Sequence, residues 1–197
     1  IIDGVNGLVL LYSLSICVLI LLFQSSSLST EINLFFVAIF FAILAVFLLN
    51  FPFGRIFLGD GGAYFLGIML SIGVIKYYQI NDLSPWYVFS VFIYPVTDVF
   101  ISITRRIIAK VSIFNPENKH LHHVVFKRVK KMGIKSENTN HAITTILIFI
   151  LYFPFLLSAN YFSDNSLILQ IQCLIFILFY LALYIILIPK DLAFQKT

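Results

Sequence analysis

Three short polar segments interrupt an otherwise apolar chain, and each holds residue types suited to phosphate or metal-phosphate chemistry. The first is Asp3-Gly4-Val5-Asn6-Gly7. The second is Phe53-Gly54-Arg55-Ile56-Phe57-Leu58-Gly59-Asp60-Gly61-Gly62, and the third is Asn115-Pro116-Glu117-Asn118-Lys119-His120-Leu121-His122-His123. In the second, glycines around Asp60 allow backbone to approach a ligand closely. A helix starting there turns its free N–H groups toward an anion or a metal-bound phosphate. A carboxylate in that place suits Mg²⁺, a hard cation that keeps waters and bridges substrate phosphates. Asp60 fits equally well as a helix N-cap. The third segment packs three imidazoles into four residues beside Lys119, Lys127 and Arg128. Structural zinc wants four ligands at loop spacing, and no Cys is near. A cationic cluster of this kind suits a polyphosphate instead, with a solvated polar loop as the alternative. His141 stands alone and reads as an ordinary polar residue at a helix start.

The elements that must carry these segments follow from composition. Of 197 residues, 60% are hydrophobic, 17% aromatic and 11% charged, with 22 Phe. A soluble domain of this size is nearer half apolar and a quarter charged, so a soluble globule, a disordered chain and a disulfide scaffold are all excluded. Cys17 and Cys173 lie inside apolar runs and read as small buried hydrophobes. Six apolar runs, at residues 8–23, 32–49, 62–78, 86–104, 142–162 and 167–188, approach the roughly 20 residues that a helix needs to cross a bilayer. They lack the period-2 alternation of barrel strands. The expected fold is therefore all-α, a polytopic membrane helix bundle with about six transmembrane helices. It is a single domain over residues 1–197, with a long basic loop at 104–141.

The connections divide by charge. Those at residues 24–31, 79–85 and 163–166 contain no Lys or Arg, whereas 12 of the 13 bases fall on the alternate connections. The positive-inside rule makes that side cytoplasmic. The exception, Lys76, lies near its helix end and can snorkel outward. All three polar segments then fall on the cytoplasmic face. The net charge of +4 is loop charge facing anionic lipid, and no nucleic-acid motif accompanies it. One ionisable residue lies within a span. Asp98 is costly there and is a functional candidate by default; Arg105, seven residues on, or Arg106 offers a structural partner. Pro95, one turn earlier, is placed to kink the helix.

The ordered set Asp-Gly-Val-Asn-Gly-Leu (residues 3–8), Gly-Arg-Ile-Phe-Leu-Gly-Asp-Gly-Gly (54–62), Pro-Val-Thr-Asp (95–98) and Asn-Pro-x-x-x-His-Leu-His-His (115–123) resembles the polyprenyl-phosphate N-acetylhexosamine-1-phosphate transferases, glycosyltransferase family 4. The resemblance implies a larger helix bundle, of which this chain is the C-terminal part, inactive alone; Ile1 in place of Met fits that expectation. It implies a bacterial plasma-membrane enzyme that moves N-acetylhexosamine-1-phosphate from a UDP-sugar to polyprenyl phosphate and releases UMP, initiating a cell-envelope glycan. It implies Mg²⁺, with Mn²⁺ as a substitute. By the same resemblance Asp60 matches the metal-binding Asp, Asp3 a catalytic acidic position, and His120, His122 and His123 the nucleotide-sugar motif. Asn6, Arg55 and Asp98 join the substrate-binding set. Asn6 stands where the family pattern has a second acid, so it can hydrogen-bond but cannot supply charge. The histidine motif runs into Val124 without the acidic residue of the peptidoglycan branch. Two readings compete: half of a membrane transporter with its ionisable site at Asp98, and a membrane scaffold whose basic loop recruits anionic partners.

Overall fold

The computed structural model describes residues 4–23, 30–112 and 119–188. The apolar runs become helices because hydrocarbon leaves backbone polar groups no other partner. In chain order these are α1 (Leu8–Phe23), α2 (Thr30–Asn50), α3 (Gly59–Ile80), α4 (Pro85–Val91), α5 (Ile93–Ala109), α6 (Leu121–Lys130), α7 (Glu137–Tyr161) and α8 (Ser166–Leu187). No strand forms among the described residues. Helices α2, α3, α7 and α8 are each long and apolar enough to cross a membrane, and α4 with α5 makes a fifth, broken crossing. The chain is therefore a membrane-embedded helical protein. The sixth expected span, α1, is 16 residues long, or about 24 Å at 1.5 Å per residue. That is short of a roughly 30 Å core.

Helix α1 is the centre of the bundle. It packs on α2, α3 and α7, and 11 of its 16 residues are buried, including Ser13 and Ser15. Apolar on every side, it has no face that must meet water. The outer helices instead turn large apolar side chains outward, such as Leu34, Phe41 and Leu48 on α2 and Leu167, Leu174, Leu178 and Ile185 on α8.

The broken crossing bends by 75° between α4 and α5. The cause is Pro95, although the break falls at Phe92, three residues before it. Pro95 has no N–H to give the carbonyl four residues back, and its ring crowds that carbonyl. The orphaned group belongs to Val91, and the Tyr12 hydroxyl of α1 donates to it at 2.5 Å. Tyr12 thereby satisfies a backbone group that hydrocarbon could not.

The basic segment between α5 and α7, expected as loop, contains the ten-residue helix α6. Leu121, Val124, Val125 and Val129 are buried, at the spacing of one helical face. They dock on α7 and α8. The signal was present in the sequence, in apolar residues three and four apart, but the histidines and bases masked it.

Alternate ends of the helices meet. The start of α1, the end of α2, the starts of α3 and α7, and α6 with the end of α8 gather at one end of the bundle. At the other end, Ser84 N donates to Ser163 O at 3.0 Å, and Ser84 Oγ and Ser166 Oγ lie 2.7 Å apart. This is the alternation that the charge pattern requires.

Candidate functional site

The first two polar segments are tied together by Asn50, the buried last residue of α2. Its Oδ1 accepts from Gly7 N at 2.5 Å and its Nδ2 donates to Ile56 O at 2.6 Å. A side chain on Gly54, which has φ +60, would put Cβ 2.7 Å from Asn6 Nδ2. Only glycine suits both that backbone conformation and that approach. Asn6 is itself held from α7. Thr145 Oγ1 donates to Asn6 O at 2.7 Å, and Asn6 N donates to His141 Nδ1 at 3.4 Å. Asn138 Nδ2 reaches Phe53 O at 3.1 Å and ties the second segment to the same helix.

A cavity of about 320 Å³ opens between these segments, lined by Gly4, Asn6, Asn50, Leu58, Gly59 and His141 among others. His141, dismissed in the sequence as an ordinary polar residue, therefore belongs to the site. Its ring also lies 4.5 Å from that of Phe126 in α6. No local sequence signal marked it, because its partner Asn6 lies 135 residues away.

Asp60 follows Gly59 at the rim. It sits inside the first turn of α3, and Leu58 occupies the N-cap with no side-chain cap bond. The capping alternative for Asp60 is thus not realised. Its side chain is exposed, and among the described residues it makes no hydrogen bond or ion pair. Arg55 is exposed as well, with its guanidinium 5.3 Å from the Phe53 ring centre. Asp3 and residues 115–118 lie outside the described residues.

The histidine segment closes the site from the other side. A Cβ on Gly4 would stand 2.7 Å from His123 Cε1, so the first segment abuts the third. The rings of His122 and His123 are 4.4 Å apart, and those of His120 and His122 stack at 5.5 Å with 3° between their planes. The three differ in setting. His122 is fully buried, with Nδ1 3.4 Å from the Tyr94 hydroxyl. His120 and His123 are only partly covered.

Asp98 is fully buried. Arg105, the structural partner expected for it, instead donates through Nη1 to the Tyr184 hydroxyl at 2.6 Å. Seven residues of helix return to the same face but leave about 10 Å of rise between the two. The Asp98 carboxylate meets the histidine segment. Its Oδ2 is 2.7 Å from His120 Nδ1, and its Oδ1 accepts from Leu121 N at 3.2 Å and from the Tyr180 hydroxyl. The broken crossing thus delivers an anion to the start of α6.

No three or more His, Cys, Asp or Glu side chains cluster in a way that could hold a metal among the described residues. A Mg²⁺ ion bound with substrate phosphates needs only one or two protein carboxylates. The uncapped Asp60, at a helix start beside the cavity, fits as one of them.

Residues 1–78 match the model of glycosyl transferase family 4. Over 91 residues, 46% of this chain and 30% of the relative, the chain is 32% identical to an undecaprenyl-phosphate alpha-N-acetylglucosaminyl 1-phosphate transferase of Thermotoga maritima. It is 29% identical over 146 residues, 72% of this chain and 36% of the relative, to a probable undecaprenyl-phosphate N-acetylglucosaminyl 1-phosphate transferase of Bacillus subtilis. It is 38% identical over 87 residues, 38% of this chain and 22% of the relative, to a decaprenyl-phosphate N-acetylglucosaminephosphotransferase of Mycobacterium leprae. The chain spans about a third or less of the length of these relatives. No solved structure matches it significantly. The first two polar segments lie within residues 1–78, the part of the chain that matches the family model.

Proposed function

We propose that the protein transfers N-acetylhexosamine-1-phosphate from a UDP-N-acetylhexosamine to a polyprenyl phosphate and releases UMP. The observation that carries this reading is the meeting of three polar segments, far apart in sequence, at one end of a membrane bundle. In the reaction, a phosphate oxygen of the lipid bonds to the β-phosphorus of the nucleotide-sugar. The bond from that phosphorus to the oxygen bridging to the α-phosphate breaks, and UMP leaves with the electron pair.

Two anions must approach, so the site has to offset their repulsion. Mg²⁺ or Mn²⁺, when bound, supplies Lewis-acid neutralisation of that charge. Asp60 is its donor in this chain, with Asp3 retained as a second acidic position on the resemblance alone. His120, His123 and Arg55 supply cationic or hydrogen-bonding contacts to phosphate. Asn6 offers an uncharged amide, oriented by Thr145 and by its packing on Gly54. His122 and Asp98 are buried and serve by holding the partly covered histidines. Asp98 bonds to the start of the histidine segment at the site end of the bundle, which speaks against an isolated transporter site within the span.

The site end also carries Arg105, Arg106, Lys110, Lys119, Lys127, Arg128, Lys130, Lys131 and Lys135, while the other end carries Glu31, Asp82 and Asp164 with Lys76 as its one base among the described residues. This supports a cytoplasmic active face in a bacterial plasma membrane. The test is UMP release by the full-length protein in lipid nanodiscs, with a panel of UDP-sugars, undecaprenyl phosphate and Mg²⁺. Asp60→Asn is expected to lower turnover at least about a thousandfold with unchanged thermal stability, because the residue is exposed. Wild-type turnover in Asp60→Asn would sink the assignment.

A further inference from the structure

The histidine segment is held from a helix that carries none of the polar motifs. Along α8, Tyr180, Tyr184 and Leu187 recur at spacings of four and three, which places them on one face. They meet, in turn, the carboxylate that anchors the segment, the segment's own backbone, and the later part of α6. The Tyr180 hydroxyl donates to Asp98 Oδ1, the carboxylate that also takes Leu121 N at 3.2 Å and faces His120 Nδ1 at 2.7 Å. The Tyr184 hydroxyl donates to Lys119 O at 2.8 Å and receives Arg105 Nη1 at 2.6 Å. The Leu187 carbonyl accepts from Arg128 Nε at 3.1 Å, at the far end of α6.

We propose that Tyr180 and Tyr184 are positioning residues of the transferase site. In this view α8 is a rail that fixes the height and rotation of α6, and hence the placing of His120 and His123 against the Gly4 loop. The proposal rests on the reading that these histidines receive substrate phosphates. Its physical core is the hydroxyl groups. Phe would fill the same volume on α8, so packing alone does not call for Tyr at either position. What Tyr adds is a donor to a buried carboxylate and a donor to the carbonyl just before α6. The carboxylate at 2.7 Å and Ser102 Oγ at 3.2 Å both engage Nδ1 of His120 and so orient the ring, leaving Nε2 as the ring nitrogen that can face a phosphate. An error of about 1 Å in such a group costs on the order of a hundredfold in rate.

The experiment uses the full-length protein in nanodiscs with Tyr180→Phe, Tyr184→Phe and Asp98→Asn. Hydrogen exchange is followed across residues 119–125, and kcat and KM are measured for the UDP-sugar. Both Phe variants are expected to fold with near-native melting temperature, to exchange faster at the start of α6, and to lose at least about tenfold in kcat/KM. A double-mutant cycle supplies a readout that simple loosening would not move. Tyr180 reaches His120 only through Asp98, which faces His120 Nδ1 at 2.7 Å. Tyr180→Phe combined with Asp98→Asn should therefore lose no more kcat/KM than the worse of the two single variants. Fully multiplicative losses would overturn the positioning role of Tyr180. Wild-type exchange and wild-type kcat/KM in both Phe variants would overturn the proposal while leaving Asp60 and the transferase reading intact. Should the unmutated protein release no UMP from any donor, the transferase reading fails, and faster exchange in residues 119–125 decides the positioning of α6 on its own.

Discussion

Gly54→Ala tests the closest contact between the first two polar segments. At φ +60 an alanine sits in the left-handed region, which costs about 1–2 kcal/mol. That cost is independent of any neighbour. The second effect is local. The new Cβ would be 2.7 Å from Asn6 Nδ2, against about 3.5 Å for an ordinary contact. The amide must therefore withdraw by about 0.8 Å. Its backbone cannot follow freely, because Thr145 holds the Asn6 carbonyl and His141 the Asn6 amide. The side chain must swing away from the cavity instead. We expect kcat/KM for UMP release to fall about ten- to a hundredfold, with a melting temperature a few degrees lower. Adding Gly54→Ala to Asn6→Ala separates the two effects. The stability loss should persist, while the further loss of rate should vanish, since no amide is left to displace. If Gly54→Ala lowers the rate by the same factor in both backgrounds, the contact with Asn6 is not the cause and the argument fails.

Three further outcomes follow from the same contacts. Asn50→Ala removes one buried and one partly buried bond that join the first segment to the second, so it should cost roughly 2–4 kcal/mol by thermal or denaturant unfolding and lower activity with it. His122→Ala should reduce both stability and activity because it hollows out a fully buried site. His123→Ala should instead keep the melting temperature and raise KM for the UDP-sugar; equal melting temperatures for the two variants would contradict their different burial.

The large features of the fold were legible because hydrocarbon imposes a length and a hydropathy on each crossing, and the polar loops between them are short. The bases marked one end of the bundle for the same reason. What stayed hidden was pairing over distance. Pro95 announced a break, yet nothing local to it pointed to Tyr12. Asp98 announced a partner, and helical periodicity nominated Arg105, whereas the chain supplied His120 after a turn back through α6. His141 carried no signal because its role comes from Asn6, a residue at the opposite end of the sequence. Helix α6 was missed for a different reason: its apolar face is narrow, and its histidines and bases look like a loop when read one residue at a time.

The bond from Tyr12 to the Val91 carbonyl has a consequence for how such chains change over time. A proline at position 95 is tolerable in hydrocarbon only while another chain element donates to the group it strands. Replacing Pro95 by an ordinary residue would return that carbonyl to its own helix and leave the Tyr12 hydroxyl without its task, free to become Phe. Losing the hydroxyl first would instead expose an unmatched carbonyl inside the membrane. The two positions, 83 residues apart, should therefore have only one easy order of substitution, proline before tyrosine, and relatives in which α4 and α5 run straight should be those in which position 12 has drifted.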